Sequence, residues 1–368
     1  MGGGAGSRFC RAQGGGGGTV VGRRAGRRLV ARLREGREMI TRRSILRLSA
    51  SGTVAMGLQR GCFAQAASGQ TALRAADIAS LDYPTVQTLF FIDRALRKVS
   101  DGDLSIRVFP DAQLGQETEV IEQLRIGAID MARVNVMSLA DVVPEFAVLG
   151  LPGTFLSDAH FDTFTGGTAG QVFLEHLEGT GFVGLTFLEG GTRHLYNRVR
   201  PIERVEDMQG LRLRTDLSSA SGFLYRALGT TGVQLPLSHV LPALEARLID
   251  GAIENIATYV ALGHYRAAPF IAMTEMGRPP DILLISQRAW NGLTAGQRKL
   301  LKNTSGDARS FMKKSFEYWT RACMQQIRDR GVTQTHPDAL LQPARGAIDA
   351  MLAQLDMMKW FEVVRSAQ

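Results

Sequence analysis

The feature that most constrains this chain is a regular alternation of strand-like and helix-like segments that starts near residue 71 and is played twice. Residues 71–77 read as a strand. In 84–99, Val86, Leu89, Phe90, Ala95, Leu96 and Val99 fall close to the spacing of one helix face. Asp101-Gly102 marks a turn, and 104–109 alternates apolar and polar residues as a half-buried strand does. A helix over 117–126 stops at Gly127, and a short strand follows over 128–134. The plan repeats with strands at 183–188 and 211–214 and helices at 218–228 and 238–248, the first halted by Gly229. Strand–helix alternation on this scale predicts an α/β protein with mostly parallel sheets flanked by helices. The last third reads differently, as a long amphipathic helix over 295–332 and another helix over 347–364.

A faint internal echo suggests how the two halves face each other. Gly127-Ala128-Ile129-Asp130 and Asp250-Gly251-Ala252-Ile253 each follow a helix and lead into a short apolar strand with a polar far end. Those ends are Arg133/Asn135 in one case and Glu254/Asn255 in the other. Open α/β sheets bind ligands at the carboxyl ends of their strands. Two such units face to face make a cleft with both polar ends pointing in.

Charge excludes an obvious misreading. The chain carries a net charge of +8, which on its own suggests nucleic acid. Residues 1–66 hold 13 Arg and no Lys against Glu35 and Glu38, and what remains in 67–368 is 30 basic and 33 acidic residues. The body is mildly acidic, so no nucleic-acid partner is expected. Residues 1–38 are rich in Gly and Arg, with too little apolar content to pack. Met39 then precedes Arg42-Arg43-Ser44-Ile45-Leu46, an apolar stretch over 48–58, and the small-x-small pattern Ala64-Gln65-Ala66. This predicts that translation starts at Met39, that 39–66 is a twin-arginine-like export signal, and that the mature periplasmic chain begins near residue 67. Cys10 and Cys62 fall in this leader, leaving Cys323 alone in the body, where no intrachain disulfide is possible. No run of 18 apolar residues occurs in the body.

In 211–214 the alternation puts Leu211 and Leu213 on one face and Arg212 and Arg214 on the other. Arg214 ends the strand, and a guanidinium can grip both oxygens of a carboxylate; an ordinary strand-edge salt bridge is the alternative. Arg133, on a mostly apolar strand, needs a partner, which is either a ligand or a neighbouring carboxylate. The six His residues sit in no H-E-x-x-H context, and the chain has no CxxC, GxSxG or Walker pattern. No metal, cofactor or catalytic residue is therefore expected. His194, beside Arg193, is the one His placed near the cleft, with a structural hydrogen-bonded role as the alternative.

An ordered set of short runs resembles a known family. The set opens with Asp82-Tyr83-Pro84-Thr85-Val86 and Val108-Phe109-Pro110-Asp111-Ala112-Gln113-Leu114-Gly115. Ile121-Glu122-Gln123-Leu124, Gly127-Ala128-Ile129-Asp130 and Val143-Pro144-Glu145-Phe146 follow. Next come Gly191-Thr192-Arg193-His194, Met208-Gln209-Gly210-Leu211-Arg212-Leu213-Arg214, Asp250-Gly251-Ala252 and Trp290-Asn291-Gly292-Leu293-Thr294. Over nearly all of 71–330 these are similar to the solute-binding subunits of tripartite ATP-independent periplasmic (TRAP) transporters. The resemblance implies a two-lobed periplasmic-binding-protein fold with the ligand cleft between lobes, one built from 67–191 plus 280–320 and the other from 192–279 plus 321–368. It implies capture of a small organic acid, a sugar acid such as a uronate or a dicarboxylate, for a membrane permease, by a monomer and without catalysis. The family's carboxylate-gripping Arg falls on Arg214 and a second contact on Arg193, with further ligand positions on Asn135 and Glu117. Tyr83, Arg133 and Asn255 complete the expected set with Glu254, which stands where the family usually has Asn. A carboxylate there repels an anion, binds a sugar hydroxyl or pairs with an Arg. A ligand sensor for a signalling partner is the alternative on the same fold, and an enzyme a more distant one.

Overall fold

A computed structural model describes residues 70–215, 221–337 and 345–367; residues 1–66, where the export signal is expected, lie outside the described residues. Among the described residues, eleven strands follow in chain order. They are β1 (Thr71–Ala76), β2 (Leu104–Phe109), β3 (Met131–Asn135), β4 (Phe182–Leu188), β5 (Arg193–Asn197), β6 (Arg212–Thr215), β7 (Thr231–Gln234), β8 (Gly251–Asn255), β9 (Phe270–Ala272), β10 (Asp281–Ser286) and β11 (Thr333–Thr335). They form two sheets, ordered β2-β1-β3-β10-β4 and β11-β9-β5-β8-β6-β7, and each sheet is the centre of one lobe.

Both sheets are mostly parallel, as the alternation predicts, and each carries one reversed strand. β10 runs antiparallel to β3 and β4, and β5 runs antiparallel to β8 and β9. The reason lies in how the chain crosses between lobes. It leaves the first sheet at the carboxyl end of β4 and arrives beside the carboxyl ends of the second, so β5 must run back through that sheet. β10 does the same on the return from β9. The two crossings are stitched together: Arg193 N–H donates to Gly277 O at 2.8 Å, and Met276 N–H donates to Arg193 O at 2.8 Å. Their approach is close enough that a Cβ on Gly190 would stand 2.1 Å from the Pro279 carbonyl oxygen. Gly191, at φ +79°, takes the left-handed turn that follows.

β10 (Asp-Ile-Leu-Leu-Ile-Ser) is buried along its whole length, as a strand covered by helices on both faces should be. The helix Pro84–Val99 opens on its proline and packs Leu89, Ile92 and Leu96 into the first lobe's core. Facing it is the 35-residue helix Ala295–Asp329, capped by the reciprocal Thr294 and Gln297 bonds. Its stripe of Leu301, Ala308, Met312 and Phe316 joins the first core, and Cys323 and Ile327 join the core of the second lobe. The helix therefore spans both lobes, and among the described residues none is long and apolar enough to cross a membrane. It ends before the predicted residue 332, because Gly331 adopts φ +69° and Val332 N–H turns back to Ile327 O.

Two other expectations need correction. The strand expected over 128–134 is Met131–Asn135, since Gly127 at φ +71° holds the chain in a turn first. The helix expected over 347–364 is two helices, Arg345–Gln354 and Met358–Arg365, separated by a turn with Asp356 at φ +53°. That turn carries Trp360 onto Phe173 of the first lobe, with ring centroids 4.9 Å apart, so the tail 321–368 does not lie wholly on the second lobe.

Candidate ligand-binding site

The carboxyl ends of both sheets converge on one cavity of about 350 Å³ between the lobes. Arg214, Arg193, Asn135, Glu117, Arg133, Glu254, Asn255 and Tyr83 all line it. The internal echo appears here as matching geometry. Asn135 ends β3 and accepts from Met137 N–H at the start of the helix Val136–Leu139; Asn255 ends β8 and accepts from Thr258 N–H at the start of Ile256–Ala261. In both lobes a strand delivers its last side chains to the cleft and the same Asn starts the next helix.

On the first lobe the alternatives for Arg133 resolve toward carboxylates. Its side chain is 6% exposed and grips both oxygens of the fully buried Asp77, with Nε donating to Oδ2 at 3.0 Å. Nη1 donates to Glu117 Oε1 at 3.2 Å. Asp281, the third carboxylate, stands 3.7 Å from Nη1, beyond hydrogen-bond reach, and accepts instead from Asn135 Nδ2 at 2.9 Å. Glu117 also accepts from Asn135 N–H and Ser138 Oγ. Burial pushes the Asp281 carboxyl up to about 7, against the pull of Arg133 and Asn135; Glu117 and Asp77 push it in the same direction as burial. One arginine stands among three carboxylates and is hydrogen-bonded to two of them, the buried Asp77 and the half-buried Glu117.

On the second lobe Arg214 and Arg193 flank Glu254. Arg214 Nη1 donates to Glu254 Oε1 at 2.7 Å and its Nε to Leu235 O at 2.9 Å, while Arg193 Nε lies 3.8 Å from Glu254 Oε2. Of the readings open for Glu254, pairing with an Arg is the one observed. Alternation along β6 behaves as predicted: Leu213 is buried in the core, Arg212 turns to Asp250, and Arg214 reaches the cavity. The lobes touch across the cavity floor, where Arg193 Nη2 donates to Asn135 Oδ1 at 3.1 Å and Asn255 Nδ2 donates to Gly190 O at 2.9 Å. Tyr83 Oη shares a hydrogen bond with Thr258 Oγ1 at 3.2 Å, and burial raises its phenol above the usual range.

His194 points away from the cavity, to the opposite face of β5 from Arg193. It accepts from Glu275 N–H at 3.3 Å, and burial, then His336, lowers it to about 4. Sequence reasoning missed Asp77 and Asp281. The first ends a predicted strand, where the carboxyl-end rule points to it. The second begins its strand and reaches the cleft only because β10 is reversed. Among the described residues no group of His, Cys, Asp and Glu is arranged to hold a metal ion.

A polar, charged cleft between two open α/β sheets joined by paired crossing strands is the construction of a two-lobed solute-binding protein. Residues 75–356 match the family described as bacterial extracellular solute-binding protein, family 7, and the chain belongs to it. A solute-binding protein of Chromohalobacter salexigens is 28% identical over 250 residues, covering 68% of this chain and 74% of that one. Among solved structures, a TRAP periplasmic solute-binding protein from Bradyrhizobium sp. BTAi1 in complex with α/β-D-galacturonate is 30% identical, with a TM-score of 0.77 over 81% of this chain and 99% of its own. Another, from Citrobacter koseri with bound D-glucuronate, is 27% identical with a TM-score of 0.77, covering 81% and 100%. The expected family and two-lobed architecture are borne out, and the chain is a substrate-binding component of TRAP transport.

Proposed function

We propose that this chain captures a hexuronate in the cleft and hands it to a TRAP membrane permease. The observation that carries the ligand class is the one-sided layout of charge. Arg133 is engaged by the two carboxylates Asp77 and Glu117, whereas Arg193 and Arg214 stand on either side of the single carboxylate Glu254, which makes that end the more cationic side of the cavity among the described residues. Asp111, Glu117, Glu254 and Asp281 line the same space. A ligand with one carboxylate and several hydroxyls fits that layout: the carboxylate takes the arginines and the hydroxyls form hydrogen bonds with the acids. The second carboxylate of a dicarboxylate faces anions. The uronates bound to related structures agree with this reading. Thermal unfolding of 67–368 should shift upward with galacturonate or glucuronate, by about 2.7 kcal/mol of stabilisation at a hundredfold excess over Kd. Stabilisation by succinate or malate and not by uronates would overturn the assignment.

Delivery to this site requires export, which the Arg42-Arg43 pair and Ala64-Gln65-Ala66 supply in this reading. Replacing both arginines by lysine should leave unprocessed precursor in the cytoplasm. Normal processing of that variant would point to the general secretory route instead.

A further inference from the structure

The first-lobe wall of the cavity has a charge problem that capture of an anion makes worse. Asp77 and Glu117 take up the hydrogen bonds that Arg133 makes to carboxylates, two to Asp77 and one to Glu117. Asp281 lies in the same cluster, 5% exposed, with an amide as its hydrogen-bond donor. Among the described residues no other cation forms an ion pair with it. Arg193 is linked to it through Asn135, whose Oδ1 accepts from Arg193 while its Nδ2 donates to Asp281. Tyr83 contributes a neutral phenol. On the neighbouring β4 no residue is charged, and just beyond it Glu189 is paired with Arg278. From the helix Glu117–Arg125, Glu117 faces the cluster and adds negative charge. Across the cleft, Arg214 is matched by Glu254.

We propose that anion capture takes up one proton from solvent onto Asp281, which then serves as a neutral acid donating a hydrogen bond from Oδ2 to a ligand hydroxyl. This makes Asp281 a specificity-determining residue of the site, and it rests on the uronate reading above. The geometry suits a protonated acid. Oδ1 accepts from Asn135 as a carbonyl does, and Oδ2, held beyond hydrogen-bond reach of Arg133, is the oxygen that carries the proton. The sign follows from the resting carboxyl, which titrates at about 7. A bound anion and loss of water from the closed cleft both disfavour the carboxylate and raise that value further. Between the free and bound values, binding takes up a proton and affinity falls with rising pH, by up to about tenfold per unit. Below the free value the acid is already neutral and no uptake accompanies binding.

The test is calorimetry of the mature chain with galacturonate and glucuronate from pH 6 to 9, in buffers of different ionisation enthalpy. Expected are proton uptake at pH 8, approaching one per site, and a falling affinity above pH 7, both abolished in Asp281→Asn. Uronate binding with no uptake and constant affinity would overturn the inference while leaving the uronate reading intact. Uptake that persists in Asp281→Asn places the proton on another acid and overturns the assignment. Failure of either uronate to bind at any pH sinks the uronate reading, and this inference with it. Should Asp281→Asn not fold, the ligand-induced infrared difference spectrum of the wild-type chain decides. It should gain a carboxylic-acid C=O band as a carboxylate band is lost, and a spectrum without that gain would overturn the inference.

Discussion

Arg214 holds two things at once, and removing it separates them. It is the strand-end guanidinium beside the cavity and also the cation that keeps Glu254 tolerable in a buried position. Losing one partner of a buried ion pair costs about 3–5 kcal/mol, mostly because the other charge is stranded. Arg214→Ala should therefore weaken uronate binding by roughly two to three and a half decades and also lower the melting temperature of the empty protein. Arg214→Lys should recover part of both, since an ammonium restores charge without the planar fork. Adding Glu254→Asn to Arg214→Ala separates the roles: the melting temperature should return while binding stays weak. Calorimetry and thermal unfolding of the three variants check this, and near-wild-type affinity in Arg214→Ala would move the ligand carboxylate to Arg193.

At the scale of elements, what the sequence disclosed was what depends on neighbours within a few residues. Strand and helix positions followed from side-chain period, and the echo of Arg133/Asn135 with Glu254/Asn255 became two strands that each end on a helix-capping Asn. Arg133, Asn135, Arg214, Glu254 and Asn255 were legible for the same reason, because carboxyl ends of predicted strands are marked by where apolar alternation stops; Tyr83, Glu117 and Arg193 came from the family resemblance. Strand direction was not legible. The run 281–286 looks the same in either direction, yet its reversal moves Asp281 from the far end of the sheet into the site. Nor was the partner of Arg133 legible, since Asp77 lies 56 residues away and meets it only once β1 and β3 are side by side. The break in the C-terminal helix escaped detection because Leu355-Asp356-Met357 contains no Gly or Pro, and the turn is held by Met357 N–H on Leu352 O. Gly190 reads as a loop residue in sequence; in the fold it is the point where one crossing strand nearly touches the other.

From residue 70 onward the described chain is two packed sheets joined by two short crossings and by the long helix Ala295–Asp329, with the charged cleft between them. The two short crossings are hydrogen-bonded to each other at Arg193, and Glu189 on one is paired with Arg278 on the other. Rotation about such a segment needs few dihedral changes, while deformation of either packed core is costly. The ligand contacts assigned above are divided between the lobes, with Arg193 and Arg214 on the second sheet and Glu117 and Asp281 on the first. A ligand gains both sets only when the lobes come together, so binding favours the closed arrangement by the difference in affinity between the two states. Small-angle scattering of the mature chain should show a smaller radius of gyration with saturating galacturonate than without it. Arg214→Ala at the same ligand concentration should scatter like the empty wild type, because half of the bridge is missing. A wild-type profile unchanged by ligand, in a sample where calorimetry shows full occupancy, would mean that the cleft is preformed and that the crossings serve as a rigid floor instead of a hinge.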